Sequence, residues 1–245
     1  MILTIYKPLG KTPLEVIEYY KKKHNIHKIS YAGRLDPMAE GVLLLLTDSD
    51  CFKQNTFHNL SKIYRFKLLI GISTDTYDCM GIINNKYNKS KLGLDIKSIV
   101  KTIQDKFIGE HAQEYPAYSS VRVDGKPLWV HAKNNNLDNI KIPSKLINIF
   151  SLKFMGNQKI EKNKLIRENL DIIKNINGDF RQDKIKDSWL KSSENINDYL
   201  EILEFEAFVS CGTFIRSLCY NIGKLLNLDT CAYRINRIKV GEYTL

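Results

Sequence analysis

The 245-residue chain has few cysteines: Cys51, Cys79, Cys211, Cys219 and Cys231. Their number is odd and no two stand in a C-x-x-C pair, so neither a disulfide framework nor a zinc ribbon is indicated, and they read as reduced thiols. His24 and His27 lie three apart in a Lys-rich stretch without a second ligand pair nearby in sequence. They read as part of a solvated charge cluster, and no metal is expected. Long apolar runs are also missing: none approaches the roughly 20 residues that cross a bilayer. The opening Met1-Ile2-Leu3-Thr4-Ile5 turns polar at Tyr6-Lys7-Pro8, too short and without the charged start of a signal peptide. The expectation is a soluble, cytoplasmic protein that meets no membrane. A P-loop and a G-x-G-x-x-G fingerprint are absent too, which argues against ATP and dinucleotide chemistry.

What is present is a foldable, basic chain. With 43% apolar residues it can bury a substantial core. Lys and Arg number 37 against 27 Asp and Glu, a formal charge of +10, which makes a polyanion the natural partner. The polar stretch 157–198 holds nine basic and eight acidic residues, so the remainder, 28 against 19, keeps +9 of that charge. This stretch reads as an insertion into a single domain spanning 1–245, a helical or mobile excursion without a core of its own.

Periodicity assigns the elements. Residues 2–6 read as a strand, and Thr12-Pro13-Leu14-Glu15 as a helix start with an N-cap, Pro at N1 and Glu at N3, carrying Leu14, Ile17 and Tyr20 inward. Residues 41–47 are a continuous apolar strand, and 62–70 alternate with Tyr64, Phe66, Leu68 and Ile70 on one face. A helix is predicted over 95–107 and an Asp124-Gly125 hairpin turn after it. A short helix over 128–135 and strands over 147–155 and 203–209 follow. Thr213 is expected to cap a helix bearing Ile215, Leu218, Ile222 and Leu225 inward. The last strand interleaves Arg234 and Arg237 with Ile235 and Ile238.

One loop stands out: Tyr31-Ala32-Gly33-Arg34-Leu35-Asp36-Pro37, just before the apolar strand. Proline biases the preceding residue to an extended conformation that presents the Asp36 side chain. An ordinary Asp-Pro turn is the plain alternative. A lone carboxylate on a rigid anchor suits a nucleophile or a base; it does not suit glycoside hydrolysis by a carboxylate pair. Tyr64 points the same way as its apolar neighbours on the strand. Arg216 sits in the first turn of its helix, near where an anion would be held.

Six blocks in order carry a resemblance: Tyr6 to Gly10, Gly33 to Gly41, Lys62 to Phe66, Gly71 to Gly81 with Asp75 and Asp78, Pro116 to Leu128, and Gly212 to Arg216. Together they resemble the TruB-type tRNA pseudouridine synthases over nearly the whole chain outside 157–198. The resemblance implies an α/β (α+β) pseudouridine synthase fold with a mainly antiparallel central sheet flanked by helices. It also implies isomerisation of the T-loop uridine of tRNA, uridine 55, without a cofactor. Asp36 matches the catalytic aspartate, Tyr64 the tyrosine that stacks on the everted base, and Arg216 the arginine paired with the carboxylate. Phe214 and Ile235 match uracil contacts. Tyr31 stands where relatives carry a histidine, Arg34 where they carry a small residue, and Phe214 where they carry a tyrosine. Lys7, Arg34 and the basic residues of the last strand are expected to meet phosphates of the tRNA T-arm. The chain leaves no room after Val240 for the C-terminal PUA domain of many relatives, and a monomer is expected. The rival expectations are a pseudouridine synthase for ribosomal or guide-directed RNA and a tRNA-folding chaperone without catalysis.

Overall fold

Apolar residues at every second position build most of the molecule, because each strand buries one or both faces under helices. The computed structural model describes residues 1–86 and 95–245. Strand β1 (Ile2–Lys7) leads into helix α1 (Pro13–His24). The helix begins with the expected capping box: Thr12 accepts from the Glu15 N–H and Glu15 accepts from the Thr12 N–H. Its inward stripe is Pro13, Val16, Ile17 and Tyr20, so Leu14, one position off that stripe, faces solvent instead of the core.

Strands β2 (Ile29–Ala32) and β3 (Ala39–Thr47), helix α2 (Gln54–His58) and strand β4 (Lys62–Ile70) follow, then helix α3 (Ile96–Phe107) and strand β5 (Gly109–Glu114). The Asp124-Gly125 turn joins β6 (Arg122–Val123) to β7 (Lys126–Pro127), as its sequence predicts, and α4 (Leu128–Lys133) comes next. Strand β8 (Ser144–Glu161) runs past its expected end into helices α5 (Lys162–Lys174) and α6 (Gln182–Lys191). Strand β9 (Tyr199–Val209), helix α7 (Ile215–Leu226) and strand β10 (Thr230–Val240) complete the order.

The main sheet has eight strands in the order β1-β3-β10-β4-β9-β8-β5, with β2 also on β3. Every neighbouring pair is antiparallel except β10 with β3, which is the mixed, mainly antiparallel α/β sheet expected from the sequence. On one face, Leu43, Leu45, Phe66, Leu68, Phe205 and Ile235 pack with residues of α1, α3 and α7. The opposite face carries a second core.

There Leu69 and Ile202 pack with Leu165, Ile166, Ile173, Ile185 and Trp189 of α5 and α6. The polar stretch is therefore helical, and its apolar residues join a core shared with the sheet. These residues are few but fall at helical spacing, and Leu165, Ile185 and Trp189 are fully buried. At the start of α7, Phe214 occupies the cap position, and the Thr213 hydroxyl donates to the Ser210 carbonyl instead. Leu225, expected inward, is exposed. Among the described residues, no helix is long and apolar enough to cross a membrane.

Candidate active site

The Asp36 loop is built from both sides. Gly33 has φ +79°, and a Cβ there would stand 3.2 Å from Arg237 Nη1, so glycine suits both the backbone turn and the close approach. Arg237 donates from Nη2 to the Gly33 carbonyl at 3.0 Å and from Nε to the Val42 carbonyl at 2.8 Å. The Pro37 carbonyl accepts from the Gly10 N–H, and the Asp36 carbonyl from the Ala39 N–H. Leu35 and Met38 anchor into the two opposite cores. The loop is thus pinned at each end while the Asp36 side chain stays 32% exposed.

Arg216, in the first turn of α7, reaches that side chain: its Nε donates to Asp36 Oδ2 at 2.7 Å. Oδ1 has no donor among the described residues. Two carbonyls orient the guanidinium, Thr76 at 2.7 Å and Tyr118 at 3.3 Å. A second carboxylate, Asp78, lies 3.6 Å away and is buried. It accepts from the Thr76 hydroxyl at 2.6 Å and from the Met80 N–H at 2.9 Å. Burial pushes the Asp78 carboxyl up to about 6, with Arg216 pulling the other way. Burial lowers the Arg216 pKa, but the Asp36 and Asp78 charges outweigh it and raise it overall. A buried arginine flanked by two carboxylates is a fixed positive strut, and of the two partners Asp36 is the one open to solvent.

The sequence model of the TruB family pseudouridylate synthase N-terminal domain matches residues 21–169, well over half of the chain. The chain belongs to the TruB family. Proteins named tRNA pseudouridine synthase B from Clostridium tetani and Mesoplasma florum are 28% and 29% identical over the whole chain. The chain spans 68% and 70% of their length. The homologue from Thermotoga petrophila is 28% identical, and 64% of it is covered. Among solved structures, the fold matches one in a Cbf5-Nop10-Gar1 complex with a TM-score of 0.61 and 18% identity, over 99% of this chain and 49% of that one. It also matches one in an H/ACA RNP bound to a substrate RNA containing 2'-deoxyuridine, with a TM-score of 0.58, 16% identity and coverage of 99% and 48%.

The other residues singled out in this TruB-family sequence distribute unevenly. Tyr64 is 7% exposed and shares the main core with Leu35, Ile215 and Ile235, the direct neighbours of Asp36 and Arg216 among them. Ile235 sits opposite Phe66 and Ala39 in the sheet. Phe214 is half-buried against Tyr115, its ring edge-on at 5.6 Å. Its backbone is held twice by Gln113, which accepts from the Phe214 N–H and donates to its carbonyl. Tyr31 Oη accepts from the exposed Arg34 at 3.1 Å.

Two expected phosphate contacts are corrected. Lys7 points to the core face of β1, is fully buried, and donates to the Pro8 and Lys11 carbonyls at 2.8 and 2.5 Å. Burial pulls its pKa down to about 8 despite the Asp36 charge. Arg237 is 1% exposed because it shares the face of Ile235, two residues before it. Sequence reasoning assigned no role to Asp78 or Gln113. Asp78 lay inside one of the recognised blocks, whereas a lone Gln on a polar strand carries no signal.

Beside the loop is a second cluster of charge. Lys62 lies 3.7 Å from where a Cβ on Gly33 would sit and is buried, its Nζ donating to the His58 and Leu60 carbonyls. Burial, then Arg237 and Lys145, lower its pKa to about 8. Burial, Lys62, Lys145 and Arg237 lower that of the exposed His58. Cys211 acts in the opposite sense on Lys62.

Proposed function

We propose that the chain isomerises a uridine of tRNA to pseudouridine, at position 55 of the T-loop, with Asp36 as the catalytic group. The single observation carrying this reading is the Asp36–Arg216 contact at 2.7 Å, in which one carboxylate oxygen is held and the other has no donor among the described residues. In the reaction the bond from ribose C1′ to uracil N1 breaks, the base turns, and C5 joins C1′. The proton lost from C5 is balanced by the one gained at N1, so no oxidant, reductant or cofactor is consumed. Asp36 serves either by adding to C1′ or by taking a ribose proton, and both roles need a fixed carboxylate. A paired or stacked uridine hides these atoms, so the nucleotide must leave the stack. Tyr64, in the main core with Leu35, is the proposed stacking face, and such stacking contributes about 1–3 kcal/mol per base.

The partner is an RNA phosphate backbone. Lys145 and Arg34 are accessible cations on this side, with Lys62 and Arg237 beneath them adding positive field. A monomer acting in the cytoplasm fits this reading. The names of the tRNA pseudouridine synthase B homologues support tRNA over other RNAs as the substrate.

The test is incubation of purified protein with an unmodified tRNA transcript, no cofactor added, and mapping of the product. Asp36→Asn should abolish product while tRNA binding persists. Product in ribosomal RNA only would replace the substrate assignment. Tight tRNA binding without any product from the unaltered chain would leave a chaperone.

A further inference from the structure

Arg181 stands between α5 and α6 in the left-handed region, φ 63°, with a side chain only 13% exposed. Its guanidinium forks onto Asp75, with Nη1 on Oδ2 at 2.6 Å and Nη2 on Oδ1 at 3.3 Å. Nη1 also donates to Tyr118 Oη, and the guanidinium lies 3.9 Å over the Tyr118 ring. Asp75 adjoins Thr76, whose carbonyl holds Arg216, and Tyr118 gives Arg216 its own carbonyl. One guanidinium therefore ties together the two backbone segments that orient the other.

The same helices hold the first of those segments at three further points. Asn169 donates to the Cys79 carbonyl at 2.8 Å, Trp189 to the Gly81 carbonyl at 3.0 Å, and the Ile83 N–H donates to Ser188 Oγ at 3.0 Å. Asp75 itself accepts from the Ile82 N–H at 2.8 Å, closing the turn that carries Thr76 and Asp78.

We infer that Arg181 is a positioning residue for the isomerisation: it sets the pose of Arg216, and through it Asp36, without touching the RNA. The inference rests on the roles proposed above for Asp36 and Arg216. Arginine suits this place because it forks and stacks at once, which an ammonium cannot do. The effect belongs to the chemical step, since small misplacements of a reacting group cost rate more than affinity.

The test is kcat and KM of the full chain on an unmodified tRNA transcript for Arg181→Ala, Arg181→Lys and Asp36→Asn. Arg181→Ala should lose about 10- to 100-fold in kcat with KM within about twofold, and Arg181→Lys should recover only part of that loss. An unchanged kcat overturns the inference. So does a raised KM at intact kcat, which would make Arg181 an RNA contact. If Asp36→Asn stays active, the proposed chemistry itself fails; if it is dead while Arg181→Ala matches the wild type, only the positioning role fails. Should circular dichroism show that Arg181→Ala does not fold, Tyr118→Phe takes its place. Loss of that hydroxyl should lower kcat about threefold at unchanged KM, and an unchanged kcat there overturns the inference.

Discussion

Arg216 and Arg237 are both buried, 3% and 1% exposed, and both grip the Asp36 loop, yet their surroundings are opposite. Arg216 meets two carboxylates; Arg237 meets two carbonyls and, among the described residues, forms no ion pair. The first charge is neutralised within the protein and acts as a strut. The second has no ion-pair partner among the described residues and lowers the pKa of the neighbouring Lys62. Two identical side chains thus hold one loop in two ways, one balanced by carboxylates and the other by carbonyls.

The sharpest way to break this contrast is to remove each arginine in turn. Arg216→Met strands a buried Asp78 and should cost about 3–5 kcal/mol of stability, with activity lost. Arg237→Met leaves carbonyls unmet but also relieves Lys62, so its cost should stay nearer about 1–3 kcal/mol. Urea unfolding of both variants decides the matter, and equal losses would erase the distinction.

The next effect is on pH. Asp78 has a folded pKa of about 6, above the usual range for Asp in an unfolded chain. Its contribution to stability is therefore fully present below the unfolded value and is lost as pH rises through 6. Catalysis should run the other way: below about 6 the protonated Asp78 no longer balances Arg216, and kcat should fall several-fold. A kcat–pH profile checks this, since Asp78→Asn should lack that limb.

On the cationic side the sign reverses. Lys62 is depressed to about 8, so the stability it contributes is present above its unfolded pKa, near 10.4, and is lost as pH falls through 8. Melting temperature should accordingly rise from pH 7 to 9. Lys62→Met should raise the melting point at pH 7 and reduce that rise, leaving the part due to Lys7, which is also depressed to about 8. The smallest effect is expected of Lys145→Ala, which should leave melting unchanged and reduce the salt slope of tRNA binding by about one ion.

Much of the site was legible because its chemistry is local in sequence. The Gly33-to-Pro37 loop and the start of α7 each announce themselves, and the capping box at Thr12 and Glu15 could be read residue by residue. The fold class follows from the resemblance of the six blocks, while alternation places β4 and β9 individually. What stayed hidden depends on partners far apart. Arg181 and Asp75 are separated by 106 positions, and nothing at either one points to the other. The sequence places Lys7 and Arg237 at phosphates because charged residues are seldom buried, whereas here carbonyls receive their donors. In the 157–198 stretch the high polar content masked a usable signal: Leu165, Ile166, Asn169 and Ile173 share one helical face and are all buried.

The order of the sheet bears on how the molecule is made. Strand β10 lies between β3 and β4, yet it is the last strand in the chain. Until residues 230–240 leave the ribosome, the sheet stays split, the Gly33 carbonyl lacks its arginine, and two raw strand edges stand open to misplaced pairing. Residues 230–240 must therefore emerge before the Asp36 loop gains its Arg237 contacts, and a chain truncated ahead of Thr230 would leave those strand edges free to clump.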